Sequence, residues 1–302
     1  MAITSGFWIG MANVVVISTE VSYGEENWKV RPFSFNTSNI STLAISVSST
    51  INSAPFLQKA AELAKKLGLE YVPAPTENSS ELVLAYTPEG LKLLQAQRSS
   101  DRFATLLFVD FVHGKSGYRL ARDRSTKQAI ARAAGIKPGF RPTVFDGTAG
   151  LGGDAFVLAS LGCPISMCER SPIVASLLAD GLQRARQDES TVEIAGARIQ
   201  LIVGDSREIL SRDSHEYHTI YLDPMYPHRR SSALNSQAMR ALRTIVGDDQ
   251  DCGALLKTAL EKAKNRVVVK RPASAPTLTE TVPSHVIAMK NSRFDIYLTF
   301  NS

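Results

Sequence analysis

Little in this 302-residue chain points to metals, disulfides or membranes. There are three cysteines, Cys163, Cys168 and Cys252. Their number is odd and no pair has metal-ligand spacing, so they read as free or buried thiols in a reducing compartment. The five histidines are scattered and form no H-x-x-x-H or H-E-x-x-H pattern, so no metal site is expected. No run reaches the ~18 apolar residues of a membrane span. The apolar patches Phe7-Trp8-Ile9 and Val14-Val15-Val16-Ile17 lack a basic flank and a small-residue cleavage site, so a signal peptide is not expected. The expected location is cytoplasmic. Charged residues make up 21% and hydrophobic ones 44%, as in soluble globular chains. The net charge of +5 is compatible with a nucleic-acid partner without being diagnostic of one.

What is present centres on Val144 to Asp154, VFDGTAGLGGD. An apolar strand ends in Asp146, glycines follow, and the amphipathic run Ala155 to Leu161 comes next. This is a strand, a tight turn and a helix start. Glycines let a ligand approach the backbone, and the helix presents unpaired N–H groups to it. About twenty residues on, Ile165 to Cys168 leads into Glu169, an acid placed to accept hydrogen bonds from a ribose diol. The pattern predicts a nucleoside-bearing cofactor. Asp146 and Asp154 would repel a dinucleotide's pyrophosphate, whereas they favour the cationic sulfonium and ammonium of S-adenosylmethionine. Asp205 and Ser206, after a third apolar strand, are candidates for the adenine. Asp205 also fits a helix N-cap. The cofactor-binding candidates are therefore Asp146, Gly150, Gly153, Asp154, Glu169, Arg170, Asp205, Ser206 and Asp223.

Taken in order, residues 1–41 read as an appendage without an assigned role, poorly ordered or an upstream-start artefact, with a weak strand through Asn13 to Ile17. A small α/β unit is expected over 42–114. It comprises strands at Leu43–Val47, Leu82–Tyr86 and Thr105–Val112, a helix at Pro55–Leu67 closed by Gly68, and a short helix at Pro88–Gln95. The basic stretch Lys115 to Lys137, helical over Arg124–Ala134, fits either a solvated helix face or an RNA-tracking surface. A larger unit is expected over 115–302, and from Pro142 onward its strands and helices alternate, which predicts a doubly wound parallel sheet. Its helix at Pro172–Arg186 is capped by Ser171, and a C-terminal hairpin (Val286–Met289 with Phe294–Phe300) adds antiparallel strands.

The fourth strand of that unit ends in Tyr221-Leu222-Asp223-Pro224-Met225-Tyr226-Pro227-His228. It looks like the Asp-Pro-Pro-Tyr loop of methyltransferases that act on exocyclic base amines, with Met225 at the usual second Pro. Such an amine is a weak nucleophile because its lone pair is conjugated into the ring. Asp223 and the Pro224 carbonyl can accept its N–H bonds, and Tyr226 can stack on an extruded base. These three are the catalytic candidates. His228, Arg229, Arg230, Lys270 and Arg271 are expected on the same rim, binding RNA substrate.

The motifs DGTAGLGGDAFVLASL (Asp146 to Leu161), Glu169-Arg170-Ser171-Pro172, YLDPMYPH (Tyr221 to His228), RVVVKRP (Arg266 to Pro272) and RFDIY (Arg293 to Tyr297) resemble one family. It is the RsmJ-type bacterial small-subunit ribosomal RNA guanine-N2 methyltransferases, and the likeness runs from about Leu43 to the C-terminus. The resemblance implies a class I (Rossmann-like) methyltransferase fold, S-adenosylmethionine as cofactor, and methylation of the exocyclic N2 of one guanosine in 16S rRNA. It implies ribosomal RNA or the 30S particle as partner, without a membrane. Cofactor contacts carry over to Gly153, Asp154, Glu169, Arg170, Asp205, Ser206 and Asp223. The chain departs from the pattern at Gly153, where Arg is common, and at Asp205, where a small polar residue is common. It also lacks a Gly-rich segment near Arg124 and has no counterpart for its first forty residues. The Asp-Pro-x-Tyr loop leaves N6-adenine and a glutamine amide open as targets. A catalytically silent RNA-binding module also remains open.

Overall fold

The structure is a computed structural model that describes residues 16–17, 45–75, 80–97, 103–113, 125–225, 242, 245–246 and 251–299. Its larger sheet is built from short, almost wholly buried runs and one longer strand that is buried mainly through its middle. They are β7 (Val144–Asp146), β8 (Ile165–Glu169), β9 (Ile199–Val203), β10 (Tyr217–Leu222) and β11 (Ala263–Pro272). Strands apolar on both sides are what a parallel sheet covered on both faces requires. Alternate residues serve opposite faces. Val144, Met167, Tyr221 and Val268 pack into one core, while Phe145, Cys168, Leu222, Val267 and Val269 pack into another. The first core holds α2 (Ala129–Ala134), α3 (Gly153–Ser160), α4 (Pro172–Ala185) and α5 (Val192–Ala197). The second holds α6 (Ser206–Arg212) and α7 (Cys252–Lys262).

The order across this sheet is β1 (Val16–Ile17), β9, β8, β7, β10, β11, β13 (Ser292–Leu298) and β12 (His285–Ala288). β9 through β11 run parallel, β13 is antiparallel to β11, and β12 is antiparallel to β13. This is the doubly wound class I arrangement with its terminal hairpin. Winding proceeds outward from β7 to β9, then resumes on the other flank at β10. The carboxyl ends of β7 and β10 are therefore the switch point where a ligand cleft opens. The weak N-terminal strand is present as β1 (Val16–Ile17), paired antiparallel with β9.

A second sheet, ordered β3-β2-β4-β5-β6, uses β2 (Ile45–Ser49), β3 (Glu70–Tyr71), β4 (Leu82–Thr87), β5 (Gly90–Ala96) and β6 (Phe103–Phe108). Helix α1 (Ala54–Leu67) crosses from β2 to β3 and ends at Gly68, whose φ of 66° closes the last turn. The sheet docks on α4. The Leu91 N–H donates to Asp180 Oδ2 at 3.0 Å, and Arg184 donates to the Val109 carbonyl. A Cβ at Gly181 would lie 2.4 Å from Val109 Cγ1, so this approach needs glycine. One apolar core runs through both sheets.

Three elements differ from expectation. Pro88–Gln95 is not a helix: Thr87 pairs with Gly90 across a two-residue turn, and β5 follows. Leu91 and Leu93 are buried on either side of the less buried Lys92, a period of two that the Pro88 signal masked. The strand expected at Thr105–Val112 starts and ends earlier, as β6. The helix expected from Arg124 is only Ala129–Ala134. Its C-terminal end sits at the amino ends of β10 and β11, where Thr219 Oγ1 donates to the Ala134 carbonyl (2.8 Å) and Arg266 to that of Ala133 (3.3 Å). That is the end of the sheet away from Asp223. The rest of the basic stretch, 115–124, lies outside the described residues.

Candidate active site

The cleft opens at the carboxyl ends of β7, β8, β9 and β10. It is an open cleft, and the space between its walls, open solvent included, is about 570 Å³. Its wall includes Gly147, Thr148, Gly150, Cys168, Glu169, Arg170, Asp205, Ser206, Arg207, Asp223, Pro224, Met225 and Asp251. The predicted set Gly150, Glu169, Arg170, Asp205, Ser206, Asp223 and Pro224 is thus brought together. Asp146, Gly153 and Asp154 are not on this wall. Tyr226, His228, Arg229 and Arg230 lie outside the described residues.

The turn after β7 is fixed by its neighbours. Gly147 N–H donates to the Tyr221 carbonyl (2.9 Å), Ala149 N–H to the Cys168 carbonyl (3.0 Å), and Ser206 Oγ to the Gly147 carbonyl (2.6 Å). A Cβ at Gly147 would fall 2.9 Å from Leu222 Cδ2, so a larger residue there would have to push the end of that side chain aside. Gly152 takes φ 74° and faces Leu178 and Phe111, with a Cβ position 2.7 Å from Leu178 Cδ1. Glu169 is buried at the end of β8 and holds the turn together. Its Oε2 accepts from Gly150 N–H (2.8 Å) and its Oε1 from Ser171 N–H (2.7 Å). Ser171 caps α4, as expected.

Asp146 lies beneath the turn and accepts from Thr148 N–H at 3.1 Å. Burial pushes its carboxyl up to about 8; the nearby charges of Asp154, Asp223 and Glu169 add to this, and the Thr148 hydrogen bond opposes it. Thr148 then reaches the next strand: its Oγ1 accepts from Asp223 N–H at 2.6 Å. Burial also pushes the Cys168 thiol up to about 12, and its Sγ–H donates to the Gly204 carbonyl at 3.4 Å. Cys168 is a wall residue without nucleophilic character.

Asp205 is the N-cap of α6, accepting from Arg207 N–H at 2.8 Å. Burial alone would raise its carboxyl, but hydrogen bonds and charge from Arg207 hold it below the usual range. Arg207 Nη2 also meets Asp251 Oδ2 (3.0 Å), and Asp251 Oδ1 meets Arg170 Nη1 (3.4 Å). An ion-pair chain therefore lines one side of the cleft. Asp223 joins a second cluster beside the cleft, where Lys270 Nζ touches Asp154 Oδ2 (2.6 Å) and Asp223 Oδ2 (2.8 Å), and Tyr221 OH donates to Asp154 Oδ2 (2.8 Å).

Arg271 corrects an expectation. Consecutive strand residues face opposite ways, so Lys270 reaches the site while Arg271 is only 2% exposed and donates to the Pro276 carbonyl at 2.7 Å. It is not a rim cation for RNA. Thr148, Arg207 and Asp251 escaped sequence reasoning. Asp251 precedes its helix as an ordinary polar residue, and nothing local marks its partners 44 and 81 positions away.

The site fits S-adenosylmethionine. Leaving out the buried Asp146, whose carboxyl is pushed up, the carboxyl groups on the cleft wall (Glu169, Asp205, Asp223 and Asp251) and beside it (Asp154) outnumber the cations Arg170, Arg207 and Lys270, which suits a cationic cofactor better than a pyrophosphate. Among the described residues no group of three or more His, Cys, Asp or Glu side chains could hold a metal ion, and no helix is long and apolar enough to cross a membrane.

Residues 62–299 match the family described as "Putative SAM-dependent methyltransferase". Ribosomal RNA small subunit methyltransferase J of Desulfotalea psychrophila is 52% identical over 243 residues, covering 80% of this chain and 92% of that protein. The protein of the same name from Pseudomonas aeruginosa is 44% identical over 246 residues, covering 81% and 92%. A crystal structure of a SAM-dependent methyltransferase from Neisseria gonorrhoeae superposes with a TM-score of 0.64 at 31% identity, covering 85% of this chain and 97% of that one. On this likeness, which spans most of its length, the chain belongs to the S-adenosylmethionine-dependent methyltransferase family that includes ribosomal RNA small subunit methyltransferase J.

Proposed function

We propose that this protein methylates the exocyclic N2 amine of a guanosine in small-subunit ribosomal RNA. The observation that carries this reading is the placement of Asp223-Pro224 at the carboxyl end of β10, on the wall of the cleft that Glu169, Asp205 and Ser206 also line. Sequence relatives matched over 92% of their own length carry the name ribosomal RNA small subunit methyltransferase J, which supports the RNA target.

Bound there, S-adenosylmethionine supplies an electrophilic methyl group on a sulfonium. Glu169 closes the end of β8, where an acid serves a ribose diol. Asp223 is exposed at the cleft mouth while Pro224 behind it is buried, so the carboxylate faces an incoming base. Asp223 and the Pro224 carbonyl accept the two N–H bonds of the amine and aim its lone pair in line with the methyl. Catalysis is then mainly positioning. The lone pair so aimed would take the methyl as the cofactor left as a neutral thioether, and the amine would pass one proton to Asp223 or to solvent.

The test is incubation with tritiated S-adenosylmethionine and small ribosomal subunits from cells lacking this activity, followed by nucleoside analysis. Label in N2-methylguanosine is expected. Label in N6-methyladenosine or in protein glutamine would overturn the target. No label, with cofactor binding intact by calorimetry, would favour a silent RNA-binding module.

A further inference from the structure

Lys270 was expected on the rim that binds RNA, but its ammonium is engaged by two carboxylates of the protein itself. It reaches from β11 to Asp223 at the end of β10 and to Asp154 in the first turn of α3, at 2.8 and 2.6 Å. Tyr221, two residues before Asp223, donates to the same Asp154 oxygen that Lys270 contacts. One lysine thus ties three elements together at the switch point. Thr148 holds the Asp223 backbone from the other side.

We propose that Lys270 is a positioning residue for methyl transfer: it holds the Asp223 carboxylate ionised and in one orientation toward the target amine, and it does not bind RNA. The proposal rests on the methyl-transfer reading above. The electrostatic need is plain in the surroundings. Asp154 in α3 meets Asp223 on the one ammonium, and Asp146 in β7 feels the charges of Asp154, Asp223 and Glu169, which add to burial in pushing its own carboxyl up, so each negative charge here disfavours another. Asp223 must nonetheless accept a hydrogen bond from a base amine, and only an ionised carboxylate is an acceptor at both oxygens. An ammonium in contact with Asp154 and Asp223 relieves this repulsion. Lys270 itself stays charged: burial would lower its pKa, but Asp223 and Asp154 outweigh burial and raise it.

The test compares K270Q and K270R with wild type. In K270Q, kcat for methyl transfer to small subunits is expected to fall about 10- to 100-fold, the range of a lost charge-assisted hydrogen bond. The acid limb of the kcat profile should move to higher pH, while KM for the subunits and its salt dependence stay unchanged. K270R, which keeps the charge, should recover part of the rate. A rise in KM with a shallower salt slope, at unchanged kcat, would overturn the proposal and return Lys270 to phosphate binding. A second readout needs no RNA: carbon NMR of labelled aspartate side chains, with the Asp223 signal assigned through D223N. Asp223 should titrate at higher pH in K270Q than in wild type, and identical titrations would overturn the proposal. If wild type transfers no methyl to small subunits, the RNA reading fails while the NMR comparison still decides the role of Lys270. Thermal melting and cofactor calorimetry of each variant separate misfolding from loss of positioning.

Discussion

Replacing Thr148 with valine tests whether the cofactor turn and the Asp223 loop act as one unit. Thr148 accepts the Asp223 N–H at 2.6 Å through Oγ1, and its own N–H donates to Asp146. Valine keeps the branched shape and the backbone bond to Asp146 but removes the acceptor. A net hydrogen bond is worth about 0.5–1.5 kcal/mol, and a stranded buried donor costs about 1–3. Asp223 is exposed, so water can reach its amide and the lower range applies to stability. With an m-value near 3 kcal/mol/M in urea, a loss of about 1 kcal/mol moves the midpoint by about 0.3 M. The effect on rate should be larger. A misplacement of about 1 Å at a reacting group can cost about 100-fold, so we expect kcat to fall at least about tenfold with KM for S-adenosylmethionine little changed. T148S, which keeps the hydroxyl, should stay near wild type. Single-turnover methyl transfer and urea titration of the three proteins make the comparison. Equal kcat in T148V and T148S would refute the coupling of turn and loop.

Asp146→Asn probes the buried acid. In the unfolded chain this carboxyl titrates near ~4, and in the fold at about 8. Its contribution to stability is therefore fully present below ~pH 4 and is lost as pH rises toward 8, on the order of a few kcal/mol. The Tm advantage of the variant over wild type should grow between pH 5 and 8.5, and a constant difference would sink this account. Gly152→Ala adds a methyl 2.7 Å from Leu178 Cδ1 at φ 74°. Strain and overpacking together should cost about 2–5 kcal/mol, read by urea denaturation, and a loss below about 1 kcal/mol would contradict the packing described. Asp251→Asn cuts the link between Arg170 and Arg207. As these groups are about a third exposed, cofactor Kd should rise only a few-fold and the difference should shrink in salt, as calorimetry at two ionic strengths can show.

Much of the architecture was legible because it rests on local chemistry. Ser171 followed by Pro172 starts a helix wherever the chain goes, and Gly68 ends one, since capping and positive φ involve only near neighbours. Acids closing apolar runs at Asp146, Glu169 and just before Ser206 marked the cleft side of the sheet for the same reason. Pro88–Gln95 failed because a proline at a helix start and a proline in a hairpin turn look alike locally. Pairing with β4, set by Leu91 and Leu93 facing the core, decided between them.

The chain by itself therefore determined the alternation of strands and helices, the glycine turn after β7, and the Asp223-Pro224 loop. Tertiary structure decided what those residues do to one another. Pairing of β10 beside β7 puts Thr148 on the Asp223 amide. The register of β11 sends Lys270 to Asp154 and Asp223 while burying Arg271. Packing of α7 brings Asp251 to Arg170 and Arg207. Caps and turns are set within a few residues along the chain, whereas these contacts join residues 44 to 116 positions apart (47 for Lys270 and Asp223, 116 for Lys270 and Asp154) and exist only once the sheet has fixed its strand order and register.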